Sequence, residues 1–147
     1  MKKLLALSLM TVLVALCVVP GVQAGGGDAR VAALASRIAG ASDLAIAQLD
    51  VYITGDAVDF LGGKAQKDQV CRLGETYLLT VEGLLREASS SIPEKVLSPL
   101  VAQVKSVRNS LSYLGLLDET PDDIYKMVVD HQKAIGTIEK CAASLVP

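Results

Sequence analysis

Tryptophan is absent from the 147-residue sequence, phenylalanine occurs once, as Phe60, and histidine once, as His131. With four tyrosines besides, there is little aromatic surface on which bases or sugars could stack. One histidine leaves any serine triad a single candidate base, and no G-x-S-x-G elbow accompanies it. Neither C-x-x-C nor C-x-x-C-H occurs, which removes the usual redox and covalent-haem motifs. Lys64 and Lys67 follow Gly62-Gly63 without the order or spacing of a phosphate-binding loop.

Basic residues are also scarce where nucleic acid would need them. Without residues 1–24, which carry Lys2 and Lys3, there are 12 basic against 16 acidic side chains, a charge of −4. A mildly acidic surface opposes both a phosphate backbone and an anionic lipid surface.

The N-terminus is rich in apolar residues. Lys2 and Lys3 precede the run Leu4 to Val19, which only Ser8 and Thr11 interrupt; Pro20-Gly21 and then Val22-Gln23-Ala24 follow. This is the basic, apolar and small-residue order of a cleavable secretory signal of bacterial type. The run is shorter than the roughly 20 residues that a membrane-spanning helix needs. Lipid attachment at Cys17 would want a small residue before it, and Leu16 stands there. The expectation is a signal peptide at 1–24 and a single domain at 25–147, in the periplasm or the medium. The leader also raises the mean hydropathy to +0.43, which is therefore no sign of a membrane protein.

The domain reads as helical throughout. After Gly25-Gly26-Gly27 and a capping Asp28, apolar residues recur at Val31, Leu34, Ile38, Ala41, Ala45 and Leu49, the helical period. Ala32, Ala33, Ala35, Ala39 and Ala47 suggest close approach of a neighbouring helix. Gly40 or Gly55 could interrupt this element, and Gly62-Gly63 ends it. A second helix spans about 65–88, with Val70, Gly74, Tyr77, Val81, Leu84 and Ala88 on one face and Cys71, Leu78 and Leu85 widening it. Ser89-Ser90-Ser91 stops it.

Ser91 and Glu94 have the spacing of a capping box for a third helix. Its seam is Leu97, Leu100, Val104, Val107, Leu111 and Leu114. Pro99 should kink it or restart it with Ser98 as cap. Thr120, Pro121, Asp122 and Asp123 form a strong fourth start, with negative charge at the positive end of the helix dipole. Ile124, Val128, His131, Ile135, Ile138, Ala142 and Leu145 continue it. Four amphipathic helices with short connections predict an all-α, antiparallel four-helix bundle.

Two cysteines remain in the domain. An exported pair is usually a disulfide, so Cys71–Cys141 is a candidate bond. In an up-down-up-down bundle, however, the second and fourth helices run parallel. Cys71 begins one and Cys141 ends the other, roughly 20 Å apart at 1.5 Å per residue, whereas a disulfide needs Cα atoms within about 7 Å. The bond with another topology, free thiols, and a bond between chains all remain open at this level.

His131 lies on the seam of the fourth helix with no second metal donor one turn away, which favours a core histidine over a metal or haem ligand. Asp50, Asp56 and Asp59 lack the spacing of a calcium loop. Asp118, Glu119, Asp122 and Asp123 make an acidic corner, read as helix capping and as a candidate patch for a basic partner. Tyr52, Tyr77, Tyr113 and Tyr125 fall one per helix and could converge on a pocket. No catalytic residue, cofactor or metal site is expected. The sequence points to an exported, non-catalytic module that binds an envelope or extracellular protein, with no nucleic acid and no stable membrane insertion after cleavage. A carrier of a small apolar ligand between the helices, or a metal or haem protein built on His131, are the alternatives. Oligomeric state is not legible.

Overall fold

The computed structural model describes residues 26–54 and 63–147. The expected signal peptide, Gly55, Asp56, Asp59, Phe60 and Gly62 lie outside the described residues. Four long helices follow in order: α1, Gly26–Thr54; α2, Gly63–Ala88; α3, Glu94–Leu111; and α4, Pro121–Ser144. A 3₁₀ segment, Ser112–Leu116, extends α3. Among the described residues no helix is long and apolar enough to cross a membrane.

Hydrophobic periodicity explains the assembly. Val31, Leu34, Ile38, Ala45 and Leu49 of α1 are buried, as are Val70, Tyr77, Leu78, Val81 and Leu85 of α2. Leu97, Leu100, Val104 and Val107 of α3 meet Met127, Val128, Ile135, Ile138 and Ala142 of α4 in the same core. α1 packs on α2 and α4, α3 packs on the same two, and α2 and α4 also touch across the middle.

Polar contacts at the rims fix the directions. Arg37 near the start of α1 pairs with Glu87 at the end of α2 at 2.9 Å. Arg108 late in α3 reaches Glu75 and Glu82 of α2 at 2.8 and 3.0 Å. Gln132 of α4 donates to Asp50 late in α1 at 2.6 Å. Neighbours in sequence are thus antiparallel. α2 and α4 are parallel: Lys67, in the first turns of α2, donates to the Leu117 carbonyl just before α4. The bundle is the plain meander.

Three local expectations are corrected. Gly40 does not interrupt α1, whose packing on two neighbours carries the helix through it. The Ser91–Glu94 capping box does not form. α3 starts at Glu94 after Pro93, with no side-chain cap, so Ser91 lies too far upstream to reach its N–H groups. Ser89, Ser90 and Ser91 instead turn their hydroxyls back to the carbonyls of Arg86, Glu87 and Ala88, finishing α2. Nor does α3 restart at Ser98; it runs unbroken through Pro99, which is exposed, so water can take the carbonyl that loses its donor.

The fourth start forms as read. Thr120 Oγ1 accepts from the Asp123 N–H at 3.2 Å, and Pro121 opens the helix. Thr120→Ala is expected to lower stability by about 1 kcal/mol, measurable as a shift in the urea midpoint with unchanged slope.

Candidate functional site

The interior holds three polar side chains among the described residues: Ser42, Gln66 and His131, each at most 3% exposed. Ser42 is bonded to the Tyr77 hydroxyl at 2.9 Å, across the α1–α2 contact. Burial pushes the Tyr77 phenol up to about 12, although its bond to Ser42 works the other way. The phenol is therefore a neutral hydrogen-bonding group at physiological pH and serves as a polar tie within the core.

His131 is tied differently. Its Nδ1 lies 2.6 Å from the Met127 carbonyl on the same helix. A carbonyl only accepts, so Nδ1 carries the proton and Nε2 the lone pair of the neutral ring. Burial holds the imidazole below its ordinary range; the Met127 bond and the charge of Asp130 oppose this more weakly. The opposite edge of the ring rests on Gly74 of α2, where a methyl group would overlap Cδ2 and Nε2. Gly74 is buried because the imidazole fills the place of its missing side chain.

Among the described residues the candidates do not gather into a reactive centre. Among the described residues no group of three or more His, Cys, Asp or Glu could hold a metal ion. Tyr77 is buried, Tyr52 half-buried, and Tyr113 and Tyr125 are 41% and 57% exposed, so the four tyrosines do not share a pocket. Tyr113 instead donates to Asp130 at 2.6 Å and accepts from Lys126 at 2.8 Å, pinning the 3₁₀ segment to α4. Lys126 also sits 5.1 Å above the Tyr113 ring. Along the α1–α2, α2–α3 and α3–α4 boundaries run grooves of about 290, 380 and 280 Å³, each open to solvent.

The candidate disulfide is absent. Cys71 and Cys141 are free, half-buried thiols and are not at bonding distance. Gly74 and His131 set the relative height of the two parallel helices. Cys71 lies three residues before Gly74 and Cys141 ten after His131, an axial gap of about 20 Å. Burial pushes both thiols above their ordinary value, for Cys71 against the pull of Lys67, so neither is poised as a nucleophile. Residues 25–147, denatured without reductant, are expected to consume two equivalents of thiol reagent. A value of zero would place a bond where the helices hold the cysteines apart.

At the acidic corner Asp123 serves the Thr120 cap, and the Glu119 backbone oxygen abuts Gly63. Asp118 and Asp122 remain exposed.

Sequence reasoning missed the outer face of α1. Gly40, Leu44, Ala47 and Val51 recur at helical spacing and are all exposed, Leu44 at 41% and Val51 at 51%. Arg30 and Arg37 turn to the α2 side, to the Ser91 carbonyl and Glu87, and Asp50 to the α4 side. Asp43 is the main charge left near the stripe. α1 is thus apolar around more of its circumference than a helix with one buried face requires. That signal was present in the sequence as an excess of alanine over charge, but it pointed equally to an inner contact.

No protein-family model, curated protein or solved structure matches the chain.

Proposed function

We propose that the protein is an exported, non-catalytic helical module, periplasmic or secreted, that binds an apolar helix of another protein on the outer face of α1. The carrying observation is the exposed stripe Gly40–Leu44–Ala47–Val51, with Arg37 engaged by Glu87 of α2 and Arg30 by the Ser91 carbonyl just past the end of α2. Gly40 and Ala47 leave low ground beside Leu44 and Val51, the relief into which a ridge of partner side chains packs. Nothing at the site offers a nucleophile with an activating base, which favours binding over catalysis.

The test is capture from an envelope extract, with the mature domain and with Leu44→Asp/Val51→Asp, whose side chains lie outside the core. The expected result is a stoichiometric protein retained by the first and lost by the second. Equal capture by both, or none at several salt concentrations, would sink the reading. So would a dimer of this chain that the double variant dissolves, because the occupant would then be a second copy.

The acidic corner supports a second contact. Asp118 and Asp122 stay exposed, and Leu116, two residues before Asp118, is 86% exposed. A basic partner there would be released as salt rises, whereas an apolar contact on α1 would persist. Export is tested by N-terminal sequencing of the protein from cell fractions, with Gly25 the expected first residue.

A further inference from the structure

The binding role makes no use of the buried imidazole. His131 is 3% exposed, its Nδ1–H is held by the Met127 carbonyl, and its Nε2 edge lies on the backbone of α2 at Gly74. The ring is therefore the piece of α4 that seats in α2. Among the described residues no carboxylate bonds Nε2, so a proton added there puts charge against the α2 backbone at Gly74 with no counter-ion in contact.

We propose that the Gly74–His131 interlock is an acid-released latch: the neutral imidazole locks α4 onto α2, and protonation at Nε2 loosens this seam ahead of global unfolding. The surrounding charges do not rescue the protonated ring. On α4, Asp130 attracts it but is engaged by Lys126 and Tyr113. Lys126 and Lys133 are exposed cations on the same helix. On α2, Glu75 adjoins Gly74 and is held by Arg108 of α3, which also holds Glu82. Cys71, also on α2, is an uncharged thiol and Tyr77 is bonded to Ser42 of α1. Asp50 of α1 accepts from Gln132.

The direction of the pH response follows. Burial holds the imidazole below its ordinary 6.5, so the opened seam binds the proton more readily than the closed one. The latch is whole above pH 6.5 and weakens as pH falls toward the value of the closed form. His131 is the only side chain of the chain that changes charge between pH 7.5 and 5.5 by its ordinary value. At pH 5.5 a solvated imidazole is protonated about ten to one, which limits the gain in opening to about tenfold.

The test is NMR of the mature domain, in which the single imidazole gives one unambiguous titration. It is expected to titrate below 6.5. Hydrogen-exchange protection, corrected for the intrinsic effect of pH, is expected to fall about five- to tenfold for the α2 and α4 amides flanking Gly74 and His131. Amides elsewhere in α1 and α3 should change less, and His131→Gln should abolish the difference. Titration at or above 6.5, protection that does not fall, or a uniform fall across all four helices would overturn the latch. Should His131→Gln fail to fold, the native titration and the helix-by-helix exchange still decide.

Discussion

Gly74→Val is expected to be the most damaging single change in α2, destabilising the bundle by about 3 kcal/mol or more. Even a single added carbon meets Cδ2 and Nε2 of His131. The ring cannot easily retreat, since its far side is bonded to Met127 and the residue is only 3% exposed. Overpacking a closed core costs roughly 1–3 kcal/mol, and a branched side chain extends the clash. Gly74→Ala should cost less, about 1–2 kcal/mol, because alanine gains about 1 kcal/mol of helix propensity over glycine. Against a typical total of 5–15 kcal/mol, both effects are large. Urea denaturation followed by far-UV circular dichroism measures them. A Gly74→Ala/His131→Ala double variant should be less unstable than the two single effects summed, since the clash vanishes with the ring. Strict additivity would show that the two residues do not press on one another.

Leu49→Ala is the second large effect, expected at about 3 kcal/mol, within the 2–5 kcal/mol found when a buried leucine is truncated. Leu49 is fully buried on α1, at the level where Gln132 of α4 meets Asp50. The internal control is Leu44→Ala, one face away on the same helix and 41% exposed, which should stay within about 0.5 kcal/mol. If the two substitutions were equally harmful, Leu44 would belong to the core and the outer face of α1 would not be available to a partner. The pair therefore tests the core and the surface on which the proposed function depends.

Local signals were reliable where they were strongest. The stripes Val70–Val81, Leu97–Val107 and Ile124–Ala142 are buried as the heptad spacing required, and Thr120-Pro121 starts a helix where its chemistry said it would. Capping read from spacing alone failed at Ser91–Glu94, because the same serines can close one helix or open the next. Gly40, one of two glycines read as an interruption, and Pro99, read as a kink or a restart, both lie within continuous helices; Gly55 lies outside the described residues. Of the candidate site, His131 was visible as a histidine on an apolar seam. Its seat was not, because Gly74 contributes to the pattern only as an absence of side chain.

Among the described residues the sequence by itself determined four helices and which side of each is buried, since burial repeats with the helical period and the helix is a local structure. It also carried the geometric objection to a Cys71–Cys141 bond, which depended only on helix length and a meander. Tertiary structure decided the rest: that the chain is this meander, that Gly74 and His131 meet at one height, and that the cysteines are thereby kept apart. It also decided that α1 keeps an apolar face in water. These depend on how parallel helices slide against each other, and that register comes from the interdigitation of side chains distant in sequence, which no single period records.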